Sequence, residues 1–415
     1  MTIATRIEPL VPDDVSLSER ATLLLKASSK LGGHTHPTTI RAVSELLRTV
    51  NCYYSNLIEG HDTHPVDIDR AMRGDYAGDP DARDLQIEAR AHIDVERLIE
   101  DRLNAEPTIN PCASAFVRWV HREFYERMPA ELRIVRNPDA TREEVVEPGE
   151  LRAFDVRVGR HIAPSPDEIA AALSRYAEVY TPERYSAAEG FALAGAMHHR
   201  LLWIHPFGDG NGRVTRLVTN AWLRRVGVGS LGLWSTSRGL ARRRDEYKSA
   251  LAAADAPRWN DVDGRGNLSM RGLNAFCAYF LEVCADQISY MSTLLDVDGF
   301  ADRMLAYGKA REARIFSDPN ARASGSRGRP RVWRSEATRL LYDLVYRGEV
   351  ARGEIVGRTG LEPRTARRLV EALTLEGFMT SESRRAPLRL AIPSHAAAYL
   401  FPDLYAPIRT PPRSI

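Results

Sequence analysis

The twelve residues His205-Pro-Phe-Gly-Asp-Gly-Asn-Gly-Arg-Val-Thr-Arg216 carry the chemistry of this 415-residue chain. Gly210 and Gly212 let a backbone approach an anion closely. They precede a run in which Val214, Leu217, Val218, Ala221, Trp222 and Val226 recur at spacings of three and four, which predicts an amphipathic helix. A helix N-terminus offers unpaired N–H groups and partial positive charge, which suits phosphate. Asn211 is expected to add a side-chain donor. Arg213 and Arg216 are three apart, so they are expected side by side on the helix face away from the apolar stripe. Two guanidinium groups beside an anion hole suit a polyphosphate. Asp209 supplies one hard oxygen, and a single carboxylate with phosphate oxygens is a usual way to hold Mg²⁺. His205 titrates near neutrality and could take a proton from an attacking hydroxyl.

Working outward, the pattern is mainly helical. Helices are expected over 17–31, 37–58, around 68–72 and 85–103, 113–127, 167–179, 186–203, 241–253 and 273–295. Phe154, Val156 and Val158 alternate with polar residues and end at Gly159, which predicts a short strand or hairpin. Residues 317–331, rich in Gly, Ser, Arg and Pro, read as a linker. Beyond it, helices at 335–346, 352–360 and 363–377 precede an alternating stretch over 378–392, the order of a winged helix-turn-helix. The expected division is a helical region at 1–110, a core at 111–300, a helix end and linker at 301–333, the winged unit at 334–395 and a tail at 396–415.

The twelve-residue stretch resembles the signature of the Fic (Fic/Doc) family, His-x-Phe-x-Asp/Glu-Gly-Asn-Gly-Arg-x-x-Arg. Every fixed position is matched: His205, Phe207, Asp209, Gly210, Asn211, Gly212, Arg213 and Arg216. The resemblance implies a helical core with a β-hairpin flap, and transfer of AMP from Mg·ATP to a Ser, Thr or Tyr hydroxyl of a protein. His205 would be the base and Asp209 the magnesium ligand. The glycine amides and Asn211 would form the anion hole, the arginines would hold the outer phosphates, and Phe207 would be a buried anchor. Tyr247 stands where the family often has a tyrosine near the base pocket, although Lys248 replaces the common second tyrosine. Val156, Val158 and Gly159, with Arg152 nearby, fall where the family's flap docks its target by strand addition.

Residues 55–60 read Ser-Asn-Leu-Ile-Glu-Gly. Ser55 and Glu59 are four apart and share a helix face. By itself Glu59 could be a solvated residue at a helix end. Beside the full signature, the stretch resembles the family's inhibitory motif, which implies an ion pair between Glu59 and Arg216 that leaves ATP in an unproductive pose.

In the C-terminal unit Arg364, Arg367 and Arg368 lie opposite the apolar face of the third helix, where recognition helices carry DNA contacts. Arg384, Arg385 and Arg389 are candidates on the wing, and docking of a protein or a second copy of the chain is the alternative. A nucleotide-sensing DNA-binding regulator therefore stands beside the adenylyltransferase, as do removal of AMP and transfer of UMP.

Composition sets the bounds. The 57 Lys+Arg and 55 Asp+Glu leave a formal charge of +2, so net charge suggests neither a nucleic-acid nor a membrane role, and any basic patch must be local. No apolar run approaches the roughly 18–20 residues of a membrane span, and residues 1–12 lack the apolar core of a signal peptide. Cys52, Cys112, Cys277 and Cys284 form no close pair, so reduced core cysteines and a cytoplasmic setting are expected. The target protein, which could be the chain itself, is not given by the sequence, and a homodimer is left open.

Overall fold

The computed structural model describes residues 8, 10–33, 35–136, 143–228, 232–316 and 333–405. The expected linker over 317–331 lies outside them. The chain divides into two compact units, one of residues 1–29, 51–230 and 234–288, the other of residues 30–50, 231–233 and 289–415. This division departs from the expected boundaries. Residues 30–50 group with the C-terminal helices, where Thr39 Oγ1 donates to Val345 O at 3.0 Å.

The helices of the first part of the chain are α1 (Ser16–Ser29), α2 (Pro37–Glu59), α3 (Pro65–Met72), α4 (Pro80–Ala105) and α5 (Ser114–Glu126). Their starts follow local chemistry. Proline opens α3 and α4 at the position whose N–H has no helical partner, and the Asp79 side chain accepts from Ala82 N at 2.9 Å to cap α4. A hairpin absent from the sequence expectation follows, β1 (Ile134–Arg136) with β2 (Glu143–Val145), in register Ile134↔Val145. The expected hairpin is present as β3 (Arg157–Val158) and β4 (His161–Ile162), with Val158 opposite His161 and Gly159 in the turn at φ 60°. Val156 precedes the strand, and its carbonyl accepts from Ala163 N at 3.2 Å.

Next come α6 (Pro166–Val179), α7 (Ala187–Ala192), α8 (Ala194–Ile204) and α9 (Asn211–Arg225). Capping boxes at Ser165/Glu168 and Ser186/Glu189 start α6 and α7. The single helix expected over 186–203 is two helices that meet at Leu193. Ten of the eleven residues of α8 are buried, as are eleven of the fifteen in α9. The α8–α9 hairpin is therefore the centre of the first unit rather than a surface pair, with Phe116, Phe124, Phe191, Phe207, Trp222 and Phe276 fully buried in that unit. Helices α10 (Thr236–Arg242) and α11 (Arg244–Ala254), the short hairpin β5 (Gly264–Arg265) with β6 (Leu268–Ser269), and α12 (Met270–Leu294) follow. All four cysteines are buried and none is in a disulfide.

The second unit holds α13 (Val297–Glu312), α14 (Ser335–Arg347), β7 (Glu349–Val350), α15 (Ile355–Thr359), α16 (Pro363–Glu376), β8 (Met379–Thr380), β9 (Leu388–Leu390) and α17 (Ser394–Leu400). Helix α17 runs into the expected tail. The strands form an antiparallel sheet in the order β7–β9–β8, with Val350↔Leu388 and Met379↔Leu390. A buried ion pair, Arg311 to Glu376 at 3.0 Å, ties α13 to α16.

Candidate active site

Two unusual backbone positions frame the loop between α8 and α9. Gly210, at φ 76°, directly precedes α9, and a Cβ there would lie 2.8 Å from the Tyr125 ring and hydroxyl. Only glycine fits. At the other end His205 caps α8 in the left-handed conformation, φ 48° and ψ 61°. Such a conformation costs a non-glycine residue about 1–2 kcal/mol and persists only where surroundings hold it. Buried Arg152 does so. Its Nε donates to His205 O at 2.7 Å, its backbone N to Pro206 O at 3.0 Å, and its other guanidinium nitrogens to Phe154 O and Pro164 O. The His205 side chain remains partly exposed. Burial, with the charges of Arg152 and His161, lowers its pKa to about 4. The imidazole is therefore neutral at physiological pH and carries a free lone pair.

The loop is held from below. Phe207 is fully buried and stacks on His121 at 3.8 Å, and His121 in turn stacks on Tyr125 at 4.4 Å. His121 Nδ1 accepts from Gly149 N at 2.9 Å. The Asn211 side chain closes the loop on itself, accepting from Phe207 N at 3.0 Å and donating to Phe207 O at 2.9 Å. The loop thus takes the amide oxygen and one of the two N–H bonds of Asn211, which fixes the side chain against Phe207 and leaves its second N–H as a donor.

The arginines depart from expectation. Both are buried rather than on an outer face, because α9 is enclosed on nearly all sides. Each has a carboxylate from another helix. Arg216, 2% exposed in its side chain, lies 2.6 Å from Glu59 Oε1 and also donates to Ser55 Oγ at 2.9 Å and Ser55 O at 3.1 Å. Ser55 and Glu59 thus meet Arg216 as a pair. Burial pushes the Glu59 carboxyl up, but Arg216 and then Arg213 outweigh it and hold it below its ordinary value. A methyl placed on Gly212 would collide with Glu59 Oε1. The carboxylate therefore sits against the first turn of α9, where positive backbone charge is concentrated.

Arg213 lies between two acids, 2.9 Å from Glu88 Oε1 and 2.9 Å from Asp209 Oδ2. Tyr125 donates to Asp209 Oδ2 at 2.6 Å. Burial raises the Asp209 carboxyl, but Arg213 and the Tyr125 hydroxyl outweigh it and keep it ionised. Its side chain is 44% exposed, so it can still reach a cation. Among the described residues no group of three His, Cys, Asp or Glu is placed to hold a metal ion. A hard cation here would rest on Asp209 and the oxygens of its own ligand, a donor set that fits Mg²⁺ on phosphates.

Tyr247 is buried, with its hydroxyl 2.7 Å from His198 Nε2, while His198 Nδ1 meets Thr219 Oγ1 at 2.8 Å. The hydroxyl also lies beside Arg216 and Glu59, so Tyr247 borders the same cluster of charges at the start of α9. Val158 is exposed on the β3–β4 hairpin, and His161 Nε2 donates to Trp203 O at 2.8 Å, fastening that hairpin to the end of α8. Arg364, Arg367 and Arg368 belong to the second unit.

Sequence inspection missed Glu88, His61, Tyr125 and His121. His61 Nδ1 lies 2.9 Å from Glu88 Oε1, and that bond raises its pKa. The available signal was polar residues inside apolar stripes: Glu88 and His92 beside Ala89 and Ile93, and His121 and Tyr125 beside Val117, Val120 and Phe124.

A helical domain thus brings together a glycine-framed helix start, a left-handed histidine cap and two arginines clamped by carboxylates. Residues 111–223 match the Fic/DOC family, and the chain carries a Fic/DOC domain there. A stretch of 82 residues is 39% identical to protein adenylyltransferase Fic of Drosophila virilis and 40% identical to that of Drosophila melanogaster. The match spans 20% of this chain and 17% of the length of each relative. The fold is similar to that of Fic-1 (aa134 - 508) from C. elegans, with a TM-score of 0.50 at 16% identity over 66% of this chain and 72% of that one. No described helix is long and apolar enough to cross a membrane.

Proposed function

We propose that this chain is a protein adenylyltransferase, transferring AMP from Mg·ATP to a Ser, Thr or Tyr hydroxyl and restrained by Glu59. The observation that carries this is the seat of the Glu59 carboxylate, against Gly212 at the start of α9 and on Arg216. An internal anion already rests where the outer phosphates of a triphosphate would go. The adenylyltransferase relatives, matched over 82 residues, supply the reaction class.

Neutral His205 takes the proton as the target oxygen attacks the α-phosphorus. The bond from phosphorus to the bridging oxygen breaks, and pyrophosphate leaves. Bound Mg²⁺ would supply charge neutralisation on the departing phosphates. Asp209 is the residue to hold that ion, since it stays ionised beside Arg213. The first-turn amides of α9 and Arg213 are poised to stabilise charge that builds in the transition state. The exposed edge of the β3–β4 hairpin would hold the target backbone by strand addition. With Glu59 on Arg216, the outer phosphates lose that guanidinium and the α-phosphorus is turned from His205.

The test is incubation of wild type, Glu59→Gly and Glu59→Gly/His205→Ala with Mg²⁺ and labelled ATP, reading label on protein by mass spectrometry. The single variant should label faster than wild type and the double variant not at all. No label from any of them, with a lysate supplied as target, would overturn the proposal.

A further inference from the structure

The C-terminal unit has a surface that transfer chemistry does not use. Helix α16 buries Ala366, Leu369, Val370 and Leu373. Its opposite face presents Arg364, Arg367 and Arg368, all exposed and sharing the first two turns. The tip of the β8–β9 hairpin adds exposed Arg384 and Arg385. None of these five makes an ion pair among the described residues. Other arginines nearby do: Arg358 lies 3.3 Å from Asp343, and Arg389 lies 3.1 Å from Glu349 and also meets Glu382. Arg389, expected as a wing contact, is thereby neutralised.

Residues 335–404 contain ten arginines and nine carboxylates, so the positive surface comes from placement, not composition. The arginine stripe continues into Glu371 and exposed Leu375, which confines it to the N-terminal half of α16. Recognition helices put their base-contacting residues in that half. Helix α15 leads into α16 through residues 360–362, with Gly360 at φ 68°, a short glycine-bearing turn of helix-turn-helix type.

We propose that this unit binds double-stranded DNA, with the first two turns of α16 in the major groove and the β8–β9 tip on the flanking phosphates. Arg364, Arg367 and Arg368 serve the groove and its edges; Arg384 and Arg385 serve the backbone. The charge, the helix and the turn before it match a duplex, whose major groove is about 12 Å wide and admits one helix.

The test uses the full chain and a fluorescein-labelled duplex of mixed sequence about three helical turns long, followed by anisotropy across a salt series. Wild type should bind, with log affinity falling linearly in log salt. Arg364→Ala/Arg367→Ala/Arg368→Ala should reduce that slope by about two to three, roughly one for each phosphate that is no longer neutralised. Arg384→Ala/Arg385→Ala should reduce it by about one to two. Arg339→Ala/Arg347→Ala, which removes exposed charge from α14 instead, should leave the curve in place. Circular dichroism and melting of each variant confirm folding. No anisotropy change at the lowest salt would overturn the proposal, and so would equal slopes for wild type and the α16 variant or equal loss from the α14 control.

Discussion

Glu59→Gln preserves the side-chain volume and removes the charge, so its effect can be worked from the contacts of Arg216. In the free protein Arg216 loses an anionic oxygen at 2.6 Å but keeps Ser55 Oγ at 2.9 Å and Ser55 O at 3.1 Å. Unit charges that close attract by roughly 6 kcal/mol at an effective dielectric of about 20. Dehydrating both ions offsets most of this, and the 34% exposure of the Glu59 side chain screens part of the rest. A net loss of about 1–2 kcal/mol is expected without nucleotide. With Mg·ATP the sign reverses, because the incoming phosphates no longer meet a carboxylate at the start of α9. A tenfold gain in productive binding corresponds to about 1.4 kcal/mol. Melting with and without Mg·ATP, together with labelling rates, measures both halves. The variant should melt below wild type when free, shift upward by more when nucleotide is added, and label at least about tenfold faster. Equal nucleotide-induced shifts and equal labelling rates would refute the reasoning, since the carboxylate would then not compete with the phosphates.

The remaining predictions use the Glu59→Gly background, where transfer is measurable. Glu88→Gln leaves Asp209 as the one ionised partner in contact with Arg213 among the described residues, so Asp209 is bound more tightly and the magnesium needed for half-maximal labelling should rise several-fold; an unchanged magnesium curve would count against this. His205, lowered to about 4, stays a competent base as pH falls through the ordinary histidine range and loses that role only as pH approaches 4, so kcat/KM should show no acid limb near 6.5. A limb centred at 6.5 or above would contradict it. Gly210→Ala combines a left-handed penalty with a 2.8 Å clash on Tyr125 and should cost about 2–4 kcal/mol in chemical denaturation, whereas Gly159→Ala, with nothing within 4 Å of the new methyl, should cost about 1–2.

What the sequence disclosed and what it hid follow from one physical distinction. Some residues were legible from local chemistry, Gly210 as a point of close backbone approach at a helix start and Ser55 with Glu59 because a helix puts positions four apart on one face, whereas Phe207 was expected as a buried anchor only through the family resemblance. The helices were legible where capping and apolar spacing agree, as at Ser165 and Ser186, and the break at Leu193 was not, because both sides of it are buried and carry no polar face to mark it. Charged residues were misjudged for a related reason. Arg213 and Arg216 were assigned to the outside of α9 because a charged side chain on an amphipathic helix usually faces water. Whether it does depends on what packs there, and here α2 and α4 bring Glu59 and Glu88. Glu59 was expected as a partner only through the resemblance of residues 55–60 to the inhibitory motif, and Glu88 is not visible as one until the chain has folded, although each arginine, nearly sealed from solvent, would be costly to bury without a counter-ion. The two pairs also differ in a way that bears on function. Glu88 is 7% exposed and Glu59 34%. The deeper pair can hold Arg213 while Asp209 turns to a cation, and the shallower one can be displaced by an incoming anion. Under the proposed function, the arginine whose counter-ion is fixed organises the site and the one whose counter-ion can leave regulates it.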